Sequence, residues 1–429
     1  MVYVLNIDGQ PLMPTSRYGK VRRLLNSNNA KVVKRCPFTI QLLYKSTNCT
    51  QPITLGVDAG SKHIGLSATT KNKELYASDV ELRNDIVDLL STRRELRRSR
   101  RYRKTRYRKC RFQNRVHSKH KGWFAPSIEH KINTHLTVID KVYKILPVTD
   151  LVVEVAAFDT QLLKAEDYGL DIPTGTDYQN GDMKGYNTRE YVLFRDGHKC
   201  RCCKGKSKDK ILQTHHIESR KTGGNAPNNL VTLCKTCHEK YHKGLIKLSE
   251  DITRGNKYND ATFMGIMRWT LYDRLKELYP SIGLTYGYIT KHTRIENDLP
   301  KDHYIDARCI SGNPLAKPLG YVFYQKKVRC HNRQIHKCSI GKGGYRKLNQ
   351  APKYVKGFQL FDKVLYKEQE CFIFGRRSSG SFDIRLLDGT KISAGISYKK
   401  LKLIEKRKSY LIERRMAVPP TAKAVGFPA

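Results

Sequence analysis

Acidic residues are scarce in this chain: 39 Asp+Glu face 81 Lys+Arg across 429 residues, a formal net charge of +42. Long apolar runs are missing as well. No window offers about 18 uninterrupted apolar residues, which excludes a helical membrane span. The stretch from Met1 to Asp8 lacks a basic head, and its apolar run is too short for a secretory signal. The expected compartment is therefore a reducing cytoplasm. No internal repeat is visible. What the chain has in excess is positive charge, which makes the compact state repel itself in isolation. The natural remedy is a polyanion, and at this size that means nucleic acid rather than a small acidic substrate. With 39% hydrophobic residues the chain is not disordered throughout, and its length suits about two to four domains.

The cysteines do not form a disulfide framework. Cys36, Cys49, Cys110, Cys309 and Cys371 are scattered singly, as thiols of a reduced protein are. Cys200 and Cys203, with Cys234 and Cys237, form two C-x-x-C pairs, and Cys202 is spare. Four thiolates on two tight turns satisfy tetrahedral Zn²⁺ completely, the requirement of a structural site. Between the pairs lie Thr214-His-His-Ile-Glu218, Gly223-Gly224 and Asn228-Asn-Leu230, and His238 follows the last cysteine. A ribbon that only binds nucleic acid has no need of that His pair, Asn and later His. The order resembles the HNH, or ββα-metal, nuclease motif. That resemblance makes His216 the general base, Asn229 the residue holding its orientation, and His215 and His238 the ligands of one Mg²⁺ or similar ion. His242 remains an alternative ligand. Histidine stands at His215 where the motif often has Asp, so a softer ion such as Mn²⁺ or Ni²⁺ is also expected to work.

A second set of acids is spread along the chain. Asp58 ends an expected strand, Glu154 interrupts the apolar run 151–158, and His303 stands one helical turn before Asp306. A charge inside an apolar strand is costly unless paired or metal-bound. Carboxylates converging from different strands can hold two ions about 4 Å apart for phosphoryl chemistry. Asp-x-Gly on the first acid and His-x-x-Asp on the last resemble the RuvC branch of the RNase H-like fold, split into three segments. By that resemblance Asp58, Glu154, His303 and Asp306 form a two-Mg²⁺ site.

Residues 91–121 carry 15 Lys+Arg and one acid. Arg93, Arg94, Arg97, Arg98, Arg100, Arg101, Arg103, Arg106 and Arg108 cover every face of a helix. Cations on opposite faces suit a clamp that grips phosphates on both sides, whereas a basic tail would not be internal. Elsewhere the patterning predicts strands over 2–5, 38–43, 53–60, 64–67, 74–79, 150–158 and 283–290. Helices are predicted over 18–25, 127–146 and 250–280, with a helix start at 301–308. Pro11-Leu-Met-Pro14 is expected to break the chain. Residues 355–404 suggest a small antiparallel β-barrel. Cys330 and Cys338, flanking two histidines, are more simply coincidence than a second metal site.

Together, Pro11-Leu12-Met13-Pro14, Asp58-Ala-Gly60, Glu154, the His215–His238 block and His303-x-x-Asp306 resemble the IscB family of transposon-associated RNA-guided DNA nucleases, relatives of type II CRISPR effectors. The resemblance implies an α/β fold divided as follows: a PLMP module at 1–50, RuvC segment I at 51–90, an arginine-rich bridge helix at 91–122 and RuvC segment II at 123–165. A linker at 166–186, a zinc-bound HNH domain at 187–245 and RuvC segment III at 246–320 follow. The last part, 321–429, is a β region facing RNA and a short target-adjacent DNA motif. It further implies a guide (ωRNA), R-loop formation, HNH cutting of the target strand and RuvC cutting of the displaced strand. The chain is then expected to be a monomer in a ribonucleoprotein of the prokaryotic cytoplasm, on the nucleoid when bound to target. A protein of 49.5 kDa that is mostly nuclease cannot enclose a heteroduplex of about 20 bp alone, so the RNA is expected to be a large scaffold. An unguided HNH endonuclease and a non-catalytic RNA-binding regulator are the competing readings. Neither uses both candidate centres.

Overall fold

The structure is a computed structural model that describes residues 1–102, 122–155, 188–219, 227–248, 252–254, 259–329, 331, 341–345 and 352–417. The chain divides into two compact units. One comprises 1–121, 125–157 and 271–429, and the other 122–124 and 158–270.

The first unit begins with a four-stranded sheet, β1 (Val2–Leu5), β2 (Pro11–Thr15), β3 (Ala30–Lys34) and β4 (Thr39–Leu42), ordered β2-β1-β4-β3. Helix α1 (Tyr18–Asn26) buries Val21 in a core with Val2, Val4 and Ile40. The expected break at Pro11–Pro14 is instead strand β2, paired antiparallel with β1. It lies at the sheet edge, where a proline's missing N–H leaves no ladder bond unmade.

A seven-stranded sheet follows. Its strands are β5 (Thr54–Ala59), β6 (His63–Thr69), β7 (Glu74–Glu81), β8 (Asp150–Val155), β11 (Ile282–Tyr286), β12 (Tyr321–Lys327) and β18 (Tyr410–Met416), in the order β11-β8-β5-β6-β7-β12-β18. β8 runs parallel to both β5 and β11, and β5, β6 and β7 form an antiparallel meander. Leu55, Val57, Leu151 and Val153 are fully buried, as strands covered on both faces should be. Helix α3 (Pro126–Tyr143) starts with Pro at its first turn and buries Ile132, His135, Val138 and Ile139. The predicted strand 283–290 ends at Tyr286, and Gly287 opens helix α7 (Gly287–Glu296).

Helix α8 (His303–Ile310) is capped by Asp302, whose carboxylate accepts the His303 N–H at 2.8 Å. It approaches the sheet more closely than side chains would permit. A Cβ on Gly56 would fall 2.0 Å from the Ala307 carbonyl oxygen, and one on Gly65 would fall 1.9 Å from that of His303. Two glycines on β5 and β6 thus seat the helix backbone directly on the strands. Its far end is tied down by buried Arg308, 3.8 Å from Glu74.

Strands β13 (Lys363–Tyr366), β14 (Gln369–Arg376), β15 (Ser381–Arg385), β16 (Lys391–Ser397) and β17 (Lys402–Glu405) make a five-stranded antiparallel sheet, ordered β16-β15-β14-β13-β17. Among the described residues no ladder joins β16 to β17, so the expected barrel is an open sheet. The expected boundary at 321 is also displaced, because β12 and β18 pair with each other in the seven-stranded sheet.

Helix α2 (Ile86–Tyr102) carries Arg93, Arg94, Arg97, Arg98 and Arg100 on an exposed surface. Arg101 lies in the same helix. Arg103, Arg106 and Arg108 fall outside the described residues, as do the linker 166–186, Cys330 and Cys338.

The second unit contains α4 (Thr188–Arg195), β9 (Leu212–His216), β10 (Leu230–Cys234), α5 (Lys235–His242) and much of α6 (Asn259–Leu278). β9 and β10 pair antiparallel, and α5 follows at once, a ββα unit. Ile246, Leu248 and Ile252 pack against Cys200, Cys234 and Cys237, so this unit runs past the expected boundary at 245. Among the described residues no helix is long and apolar enough to cross a membrane.

Candidate active site

The ββα unit is held by sulfur. The ligand atoms of Cys200, Cys203, Cys234 and Cys237 all lie within 4.8 Å of one another. Burial alone would raise the Cys203 thiol, but Ser207 donates to it through hydroxyl and backbone and brings it down to about 6. Burial pushes Cys200 and Cys237 upward. Four thiols gathered in a small apolar core fit Zn²⁺, which would stabilise the thiolate form of all four. Cys234 also caps α5, and Asp209 accepts both the backbone N–H and the hydroxyl of Thr236 at 2.8 Å.

The register of the hairpin sets the histidines. His215 pairs with Val231 and His216 with Leu230, so alternation sends the two imidazoles to opposite faces. His215 is buried and its Nε2 has no hydrogen-bond partner. His238 and His242, one turn apart on α5, close around it: the three ligand nitrogens lie within 4.8 Å, and the Nε2 atoms of His238 and His242 are 3.3 Å apart. His242, which spacing left open, joins the set. Burial first, then His238 and His242, lowers His215 to about 4, and burial also lowers His238. Three convergent imidazoles with a buried unsatisfied nitrogen fit a divalent ion, and an all-nitrogen set favours softer ions over Mg²⁺. Asn229 is fully buried, and its side-chain amide accepts the Glu218 N–H at 2.9 Å and donates to the Glu218 carbonyl at 3.0 Å. It therefore fixes the turn directly after His216.

The second centre lies in the first unit, where β5, β8 and α8 meet. His303 donates from Nδ1 to Asp58 Oδ2 at 2.7 Å. This bond, foremost, raises the imidazole to about 9. Glu154 sits on β8, one strand in from the sheet edge, and accepts a 2.6 Å bond from the Thr290 hydroxyl. Burial, then the nearby Asp58 and Asp306, pushes its carboxyl up to about 7. Asp306 is raised by burial and by Asp58, and Arg294 lies 2.9 Å away on α7. The structure thus brings Asp58 and His303 into contact and places Glu154 and Asp306 within electrostatic reach. The three carboxylates do not gather into a set within 4.8 Å. Buried carboxyls such as Glu154 and Asp306, held above the ordinary carboxylate range, fit divalent cations, which would take the place of protons.

Sequence reasoning missed several neighbours of this centre. Thr290 falls within a strand by pattern and Arg294 carries no pattern of its own, while Gly287 allows α7 to approach Glu154, whose Oε1 lies 3.0 Å from where a Cβ would stand. His63 stacks on His303 with ring centroids 5.0 Å apart. Gly65, two residues after His63, was the one available signal, since it admits α8.

A ββα metal cradle together with a four-thiol anchor is the framework of an endonuclease of the DNA-cutting HNH type, dependent on a divalent metal. Residues 200–244 match the HNH endonuclease family, and residues 2–181 match the family described as RRXRR protein. The chain therefore carries an RRXRR-type segment followed by an HNH endonuclease segment. Among curated proteins, none matches. Solved structures similar to the chain include Streptococcus thermophilus Cas9 in complex with the GGAA PAM, at 12% identity and a TM-score of 0.31, over 49% of this chain and 29% of that one. The same protein with the AGGA PAM gives 10% and 0.28, over 44% and 26%. The type II-C Cas9 from Actinomyces naeslundii gives 11% and 0.21, over 84% and 77%. The chain thus spans about a quarter to a third of the Streptococcus proteins.

Proposed function

We propose that the chain is an RNA-guided DNA endonuclease in which the ββα centre cuts the target strand and the carboxylate centre cuts the displaced strand. The observation that carries this reading is that two chemically different clusters, one of histidines and one of carboxylates with His303, lie in two separate compact units of one chain. A duplex cut needs one centre per strand, and an unguided HNH enzyme has no use for the second. In this reading the seven-stranded sheet is an RNase H-like core of RuvC type, split in three, with the zinc-bound HNH domain inserted before α8.

At the ββα centre His216 takes the proton from the attacking water, and the Asn229 clamp on Glu218 holds the strand end that carries it. His215, His238 and His242 would hold one divalent ion. Asp58, Glu154, His303 and Asp306 would hold two Mg²⁺. Bound ions supply Lewis-acid stabilisation of the phosphorane charge and of the leaving 3′ oxygen. His303, held at about 9 by its bond to Asp58, would have to give up its proton to ligate an ion. Glu154, pushed up to about 7, and Asp306, paired with Arg294, are the carboxyls that would exchange those partners for an ion.

The exposed arginines of α2 contact phosphates of guide and heteroduplex, and the five-stranded sheet faces RNA and the short adjacent DNA motif. The guide is a large structured ωRNA that completes the channel around a protein too small to form it, which acts as a monomer within the ribonucleoprotein, in the prokaryotic cytoplasm and on the nucleoid when engaged. Two experiments test the reading. RNA that co-purifies with the protein should contain one defined scaffold, and RNase treatment before adding DNA should abolish site-specific cutting. Specific cleavage that survives RNase supports the unguided HNH enzyme instead.

A further inference from the structure

His63 opens β6, and Gly65 lies two residues on, pointing to the same face of the sheet. The first turn of α8 rests on Gly65, whose Cβ would overlap the His303 carbonyl oxygen. The His303 ring is therefore carried over His63. The two imidazoles stack with centroids 5.0 Å apart and planes within 4° of parallel. Each ring is tethered to its own carboxylate: His303 donates to Asp58 at 2.7 Å, and His63 donates from Nδ1 to Asp79 Oδ1 at 3.1 Å. Asp79 stands on β7 opposite Gly65, diagonal to His63 on the shared face.

A single hydrogen bond fixes the distance from His303 to Asp58 but not the rotation of the ring, because the terminal torsion of histidine is broad. The His303 side chain is also 43% exposed, so packing on the open side does not fix it either. A flat partner held in place on the other face does. The stack on His63 does not involve the Asp58 oxygen that the bond uses.

We propose that His63 is a positioning residue for the carboxylate centre: held by Asp79, its ring fixes the plane of the His303 imidazole. The inference rests on reading Asp58, Glu154, His303 and Asp306 as one hydrolytic site. Neither His63 nor Asp79 touches the reacting strand in this account. They act through His303.

The second centre provides an internal control, since damage to folding or loading affects both strands and misplacement of His303 affects one. RNA-loaded protein is given DNA labelled on both strands, and each single-turnover rate is followed separately. His63→Ala should slow the displaced-strand cut roughly 10- to 100-fold, the scale typical of outer residues that orient a ligand, and leave the target-strand rate unchanged. His63→Phe keeps the flat face without the nitrogens and should return the displaced-strand rate to within about threefold of wild type. Asp79→Ala should fall between them. A readout besides activity is Mn²⁺ binding by electron paramagnetic resonance in a His238→Ala background, where His63→Ala should weaken the remaining sites roughly tenfold or more. An unchanged displaced-strand rate in His63→Ala overturns the proposal, as does loss of both strands that His63→Phe does not restore. Asp58→Ala is run alongside: if it too leaves displaced-strand cutting intact, the reading of the centre fails and the inference falls with it.

Discussion

Gly65→Ala is the most informative single substitution in the first unit, because its consequence follows from one distance. The added Cβ would stand 1.9 Å from the His303 carbonyl oxygen, against 3.4 Å for ordinary contact. The obstacle is backbone, so no rotamer relieves it. The first turn of α8 must move by about 1.5 Å, or β6 must bow by as much. A misplacement of about 1 Å in a positioned catalytic group costs about 100-fold in rate, and overpacking costs about 1–3 kcal/mol of stability. The displaced-strand cut should therefore drop at least about 100-fold while the protein still folds, since α8 remains tied by Arg308 to Glu74. The target-strand cut, made in the other unit, should keep its wild-type rate. The assay is the time course of a DNA duplex carrying a different fluorophore on each strand, resolved on a denaturing gel. Wild-type cutting of both strands by Gly65→Ala would refute the argument that this glycine seats His303 at a working centre.

Other perturbations separate the parts. The Glu154 carboxyl is raised from an ordinary 4.5 to about 7, so its protonated form favours the fold; that contribution is complete below about 4.5 and is lost as pH climbs through about 7. Thermal melts in chelator should thus show roughly 2–3 kcal/mol less stability at pH 8 than at pH 4.5 from this group, a loss that Glu154→Gln abolishes and added divalent cation suppresses. His242→Ala should weaken divalent-ion binding at the ββα centre about tenfold or more, and target-strand nicking should then need correspondingly more metal. Replacing Cys200 and Cys203 by serine should unfold the second unit and leave only the displaced-strand cut, with zinc content by atomic absorption falling to background. Asn229→Ala frees the Glu218 backbone and should cost about 1–3 kcal/mol in the same unit, read as a lower melting temperature.

What the sequence made legible was whatever is spaced locally. Two C-x-x-C pairs declare a tetrahedral site by spacing alone, and the His215-His216 pair between them, with Asn229 and His238, marks a second metal-bearing motif. His242 was ambiguous for a physical reason: a helix places both its fourth and its eighth residue after Cys234 near His215, and only the seating of α5 on β9 decides that both arrive. The carboxylate centre was legible as four residue types but not as a neighbourhood. Thr290, Arg294, His63 and Asp79 come from other elements, and no local pattern links them to Glu154 or His303. Prolines misled at β2, where an edge position removes the cost of the absent N–H. At 283–290 the apolar and β-favouring residues read as one strand, but Gly287 ends the pairing and starts a helix whose Thr290 then reaches Glu154.

The central claim is one centre per strand under RNA guidance. Strand-resolved cleavage by RNA-loaded Asp58→Ala and His216→Ala proteins tests it most directly. The account predicts that Asp58→Ala nicks only the target strand, that His216→Ala nicks only the displaced strand, and that the double variant cuts neither. Either single variant still cutting both strands would contradict it.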